Sequence, residues 1–182
     1  ALAAGFGSLR RFNDAFQASY RHPPRELRKR RANDTAAAGD EVTLRLAFRP
    51  PYDWPQVRNF LAARALPGVE RVDERGYART VRSETGHVVV IVRALGDEDA
   101  LELRVRGAVP AALFQLSSAA RRTFDLSADP APIRLAFRSD RLLAPLLRRR
   151  PGLRIPGAWD AFECAVRAVL GQQVTVAAAR TF

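Results

Sequence analysis

Methionine is absent from the 182 residues, lysine occurs once, at Lys29, cysteine once, at Cys164, and histidine twice, at His22 and His87. One thiol and two imidazoles cannot complete a four-ligand zinc site, so no metal and no cofactor is assigned within this segment. A lone cysteine in an apolar helix, as Cys164 is, reads as a core filler. Neither histidine has a carboxylate and a nucleophile arranged around it for hydrolysis, so both read as structural. Runs of eighteen apolar residues are missing, as is a signal-peptide opening, and the expectation is a soluble, cytoplasmic chain without a membrane partner. A chain with no methionine that begins at Ala1 and ends inside a helical pattern is expected to be a piece of a longer polypeptide.

What is present in excess is arginine. Lysine plus arginine is 30 against 19 acids, a net charge of +11. That is an electrostatic footprint for a polyanion, although an arginine-biased codon usage would produce part of the same excess. The length suits one large or two small domains, with enough apolar residues for real cores.

The most informative stretch is Pro151 to Phe182. Trp159, Phe162, Val166 and Val169 recur at helical spacing with Ala158, Ala161 and Ala165 beside them, while Asp160, Glu163 and Arg167 fall on the other side. Such a stripe is expected to pack on something. Pro156 and Gly157 punctuate its start, Asp160 places negative charge at the positive helix end, and Gly171 ends it before a polar turn, Gln172-Gln173. By itself that turn reads as an ordinary surface corner. The string R-P-G-L-R-I-P-G-x-x-D-A-F-E-x-x-V-R-A-V-L-G-Q-Q-V, however, resembles the opening of the helix-hairpin-helix core of DNA-3-methyladenine glycosylase II, an alkylation-repair enzyme. The resemblance implies that the turn meets the minor groove and that Gln173, beside Gln172, holds the position of the wedge that fills the gap left by a flipped base. It also implies that the catalytic aspartate lies beyond Phe182, so no catalytic residue is assigned here.

At the other end, Gly5-Phe6-Gly7 makes a turn and Ser8 a helix N-cap, after which Leu9, Phe12 and Phe16 share one face. Arg10, Arg11, Asn13, Asp14 and Gln17 point away from it, with side chains suited to base edges and phosphates. A second short helix follows Pro23-Pro24 and ends in Arg28 to Arg31. A solvated amphipathic helix with a basic tail would look similar. The pattern G-F-x-S-x-x-x-F-x-x-x-F followed by P-x-x-x-R, here Gly5, Phe6, Ser8, Phe12, Phe16, Pro24 and Arg28, is similar to the second helix-turn-helix of AraC-type regulators, closest to those of the adaptive response. The resemblance implies a recognition helix from Ser8 to Gln17, DNA contacts by Ser8, Arg10, Arg11, Asn13, Gln17 and Arg28, and, by analogy, a zinc-binding methyl-sensing domain before Ala1. Ala32 to Asp40 is small, polar and aperiodic, a linker.

Between them, Val42, Leu44, Leu46 and Phe48 alternate as a half-buried strand. Asp53 caps a helix to Ala65 whose Trp54, Val57, Phe60 and Leu61 make one face. Strand candidates follow at 69–73, 77–82, 87–95 and 101–106, separated by glycine turns. Pro110 opens a helix to Phe124 with Leu113, Leu116, Ala120 and Phe124 inward. R-P-P-Y-D-W with F-L-A-A-R-A, and R-x-F-D-L at 122–126, resemble the N-terminal domain of the same glycosylase, which implies a TATA-binding-protein-like sheet and makes Phe60 part of the base-pocket wall. Periodicity alone makes Phe60 a core residue. Helices are expected at 133–137 and 140–149, the second with Leu142, Leu143, Leu146 and Leu147 apolar. Arg148-Arg149-Arg150 suits phosphate contact or a helix C-terminus equally.

The fold expected is α+β: the C-terminal part of an AraC-type helix-turn-helix at 1–31, a linker at 32–40, an antiparallel sheet with two helices at 41–126, and the truncated start of an all-α glycosylase core at 127–182. The partner expected is double-stranded DNA, alkylated and promoter, with a monomer as the default oligomeric state. Excision of 3-methyladenine-type bases joined to transcriptional regulation is the function the two resemblances imply. The alternatives are a transcription factor whose glycosylase-like part only binds DNA, and a plain nucleic-acid-binding module.

Overall fold

The computed structural model describes residue 10, residues 41–83, 86–107 and 110–172, and residues 174 and 178. Five strands, β1 (Glu41–Ala47), β2 (Glu70–Asp73), β3 (Gly76–Ser83), β4 (Gly86–Ala94) and β5 (Ala100–Arg106), form one sheet in the order β1-β5-β4-β3-β2. Every pairing is antiparallel. Three consecutive hairpins build β2 to β5, and β1 closes the far edge against β5. Alternation does the sorting: Leu44, Leu46, Val88, Val90, Val92, Leu101, Leu103 and Val105 are buried on one face.

Two helices cover that face, α1 (Trp54–Ala62) and α2 (Pro110–Thr123). Asp53 caps α1 by accepting from the Gln56 amide at 3.0 Å, and Val57 and Leu61 are buried in the sheet core. From α2, Leu116 and Ala120 enter the same core, followed by Phe124. The expected sheet, its two helices and their inward residues are all present, with bounds shifted by one to three positions.

The C-terminal third departs from expectation. Helix α3 (Pro130–Ala136) starts earlier than residue 133 because Asp129 accepts from the Ala131 amide at 3.0 Å and Pro130 sits in the first turn. Helix α4 (Leu143–Arg149) starts later than residue 140, because Asp140 accepts from the Leu142 and Leu143 amides and holds a turn before the helix. Its leucines are not a core: Leu142 is 79% and Leu146 57% exposed, and Ala144 is the buried residue.

Pro151 to Gly157 is an extended strap that lies against the sheet domain. Arg154, 3% exposed, donates to the carbonyls of Ala128 at 2.7 Å, Pro51 at 3.0 Å and Asp125 at 3.3 Å, and to that of Arg49. Its guanidinium also lies 5.0 Å from the Tyr52 ring centre. Two glycines make the approach possible. A Cβ at Gly152 would stand 2.7 Å from the Asp53 amide nitrogen, and one at Gly157 2.7 Å from the Arg122 carbonyl oxygen.

Arg154→Ala leaves four part-buried carbonyls without their donor, and should lower stability by about 2–4 kcal/mol. The urea midpoint of the purified protein checks this; a shift of less than about 0.5 kcal/mol equivalent, the size of an ordinary surface change, would show that the strap is held by something else.

Candidate functional site

The strap delivers Trp159 into the sheet core, where it is 9% exposed. Trp159 therefore precedes the last helix instead of lying on it. Helix α5 (Ala161–Gly171) begins after Asp160, whose carboxylate accepts from the Glu163 amide at 2.9 Å. The helix meets the sheet through its polar side. Phe162, Val166 and Val169 are 78%, 41% and 67% exposed, while Glu163 and Arg167 turn toward the sheet. Cys164 is also exposed, so it is not a core filler.

The polar face finds its partners on β2 and β3. Arg79 lies on the inward side of β3 between Tyr77 and Val81, and its side chain is 6% exposed. It donates to Glu163 at 2.7 Å and lies 3.5 Å from a Glu70 oxygen, with its guanidinium 5.4 Å from the Trp159 ring centre. Arg167 pairs with Glu70 at 2.8 Å and with Glu163 one turn earlier on its own helix. Glu70, 7% exposed, also accepts from the Tyr77 hydroxyl at 2.6 Å and the Leu66 amide at 3.0 Å. Two carboxylates and two guanidinium groups thus share one enclosure.

Arg167 reaches further. Its other Nη donates to the Arg64 carbonyl at 2.7 Å, just past the end of α1. Arg64 in turn lays its guanidinium 3.7 Å from the Phe60 ring centre and donates to the Phe60 carbonyl at 3.2 Å. Phe60 is half-buried and packs against the core edge, so its ring has one side in the protein and a face that holds a cation. The described structure links Phe60 to α5 through two arginines.

Of the other residues singled out, Gln172 is exposed at the end of α5, and Arg10 is helical and exposed. Gln173, Ser8, Arg11, Asn13, Gln17, Arg28 and His22 lie outside the described residues. His87 is exposed on β4. Arg149 and Arg150, with Leu143, Leu146, Leu147 and Leu153, line a shallow groove of about 420 Å³. Among the described residues no group of histidine, cysteine and acid side chains is arranged to hold a metal, and no helix is long and apolar enough to cross a membrane. The sequence reading missed Arg64, Glu70, Arg79, Glu163 and Arg167. Two signals pointed to them: the strand parity that puts Arg79 inward, and the i,i+4 spacing of Glu163 and Arg167.

A five-stranded antiparallel sheet backed by helices on one face, with a strap and a helix docked by charge, defines the α+β class of domain. The sequence matches the family model of the AlkA N-terminal domain over residues 43–160, and the chain belongs to that family. It is 40% identical over its whole length to the probable bifunctional transcriptional activator/DNA repair enzyme AlkA of Mycobacterium tuberculosis, covering 37% of that protein. Over 74% of its length it is 38% identical to DNA-3-methyladenine glycosylase 2 of Escherichia coli, covering 45% of it. The chain therefore spans less than half the length of these relatives. A 3-methyladenine DNA-glycosylase from Archaeoglobus fulgidus shares the fold, with a TM-score of 0.65 at 17% identity, over 75% of this chain and 46% of that one. The family match runs on to residue 160, as the packing of the strap does.

The network has a signed pH dependence. Burial works to raise the Glu70 pKa, but hydrogen bonds from Tyr77, Arg167 and the Leu66 amide, with the Arg167 charge, outweigh it and hold Glu70 below its ordinary 4.5. A lowered folded pKa means that the unfolded state takes up protons first. The Glu70 contribution is present in full above about pH 4.5 and is lost as pH falls through the folded value. Glu70→Gln should therefore unfold more easily than the parent at pH 7, and the two unfolding midpoints should converge below pH 4.5; a gap independent of pH would contradict the assignment.

Proposed function

We propose that this chain is the linking part of a DNA repair protein that excises alkylated bases, fused at its N-terminal side to an AraC-type DNA-binding regulator. The observation that carries the reading is the family match over 43–160, combined with identity along the whole chain to a relative named for both activation and repair. Residues 1–40 are included in that alignment, which supports the helix-turn-helix reading of Ser8 to Arg28. The relatives named as glycosylases support hydrolysis of the N-glycosidic bond of 3-methyladenine-type bases, with double-stranded DNA as partner.

In this reading the damaged nucleotide leaves the stack and its base meets an electron-rich aromatic wall to which Phe60 contributes. A cationic purine is already a good leaving group, so the pocket selects charge as much as shape. The stacking of Arg64 on Phe60 supports the idea that this ring accepts a positive partner. Gln172 and Gln173 form the corner that faces the strained duplex, and the aspartate expected to stabilise the developing sugar cation lies outside this chain. A cytoplasmic protein acting as a monomer, needing no metal for excision, completes the reading. Polar Gln173 at the wedge position favours a second reading, in which the glycosylase-like part binds DNA and the protein acts as a regulator.

The full-length protein incubated with methylated duplex should release modified purine, and Phe60→Ala should slow that release by about 10-fold or more, since one base–aromatic stack is worth roughly 1–3 kcal/mol. Absence of any released base would leave the regulator reading standing. Arg10→Ala with Arg11→Ala should weaken promoter binding by roughly 1–3 kcal/mol for each bidentate base interaction removed, read by titration at fixed salt.

A further inference from the structure

We propose that Arg167 is a positioning residue: with Glu70, Glu163 and Arg79 it sets the spacing and tilt between the Phe60 end of α1 and the Gln172 corner at the end of α5. The inference rests on the reading of those two places as parts of one DNA site, and it concerns residues to which that reading gives no role.

Three observations carry it. First, α5 meets the described protein through its polar side, with Glu163 and Arg167 turned inward and Phe162, Val166 and Val169 turned out. Apolar packing is tolerant of small rotations, whereas a forked guanidinium between two carboxylates and a carbonyl is directional. Second, one side chain touches both halves. Arg167 donates to the Arg64 carbonyl at 2.7 Å, next to Phe60, and to Glu70 at 2.8 Å, while its own backbone lies five residues before Gln172. Third, the start of α5 is anchored separately, by Trp159 buried in the sheet core just before the helix. Without the clamp the helix keeps that anchor and pivots on it.

The lever is long enough to matter. Twelve helical residues, from Asp160 to Gln172, span about 18 Å, so a swing of about 10° about that anchor carries Gln172 by roughly 3 Å. A misplacement of about 1 Å is the scale on which positioned chemistry loses on the order of 100-fold. Removing one partner of a buried ion pair strands the others, so Arg167→Met is expected to cost stability as well as orientation, whereas Arg167→Lys keeps the charge and loses only the fork.

The test uses the full-length protein in a Cys164→Ser background, with spin labels at Asn59→Cys on α1 and Gln172→Cys on α5. The parent should give one narrow interlabel distance, and Arg167→Met a shifted or broadened one, with Arg167→Lys between them. In unlabelled protein, Arg167→Met should lower the single-turnover excision rate at saturating enzyme by about 100-fold while leaving affinity for undamaged duplex and its salt dependence unchanged; the lysine variant should restore part of the rate. An unchanged distance distribution in Arg167→Met overturns the proposal whatever excision does. So does a rate that falls only in proportion to the folded fraction. If the methionine variant does not fold, the lysine variant decides, since it keeps the charge and loses the fork. A parent protein that excises nothing defeats the glycosylase reading, and the distance measurement still decides the positioning role.

Discussion

Taking charge out of water is expensive, and the domain does so where β2, β3 and α5 meet, closely for Glu70 and Arg79 and in part for Glu163 and Arg167. Glu70, Arg79, Glu163 and Arg167 are tolerable there because nearly every charged atom has a partner of opposite sign or a hydrogen-bond donor. Burial pushes the Arg79 and Arg167 guanidinium pKa values down, yet the neighbouring carboxylates raise both above the ordinary value, so the arginines stay charged. Tyr77 remains a neutral donor, because burial and the Glu70 charge both push its hydroxyl up. Omitting one member strands the others in an apolar surround. The set is therefore all-or-none, and the placing of α5 depends on it.

The strap repeats this logic with carbonyls in place of carboxylates. Pro151 to Gly157 has no regular hydrogen bonding of its own, and Arg154 supplies donors to four carbonyls of the loops before α1 and after α2. Backbone bonds complete the seam, Asp53 N to Gly152 O at 2.9 Å and Gly157 N to Thr123 O at 3.0 Å. Those loops are where buried backbone groups would otherwise lack partners. The strap's exit is fixed by the same bonds, and Trp159 enters the core under Arg79 as a consequence.

The sheet was legible in the sequence because its signals are local. Alternation in 42–48 and 87–95, and glycine turns at 76, 86 and 96, depend on neighbours a few residues away. The α5 region was legible only in part. Periodicity identified an apolar and a polar side correctly, but a one-dimensional pattern does not say which side meets the sheet. The polar side meets the sheet because two buried acceptors and a buried guanidinium stand on β2 and β3, about ninety residues earlier in the chain. In α4 the leucines form the apolar side that spacing indicates, yet with Asp140 holding the turn, Ala144 is the residue that meets the protein. For the candidate site, Phe60 and the Gln172 corner came from motif resemblance, whereas the arginines that join them came from geometry alone.

The junction between Phe60 and α5 also answers a problem that belongs to any helix. The last carbonyls of α1 carry the negative end of the helix dipole; those of Asn59, Leu61 and Ala62 accept from the amides of Ala63, Arg64 and Ala65, and that of Phe60 is met by a side chain. Arg64 reaches back to the Phe60 carbonyl, and Arg167 reaches across from α5 to the Arg64 carbonyl. Arg64 thus completes the end of α1 at the Phe60 carbonyl, and with its guanidinium there it also covers the aromatic face of Phe60. A lysine would satisfy one carbonyl as a point charge, but it could not bond the Arg64 carbonyl and Glu70 along two fixed directions together. The guanidinium that meets the end of α1 belongs to Arg64 and the one that orients α5 to Arg167, and the two arginines join at the Arg64 carbonyl, which ties the Phe60 end of α1 to α5.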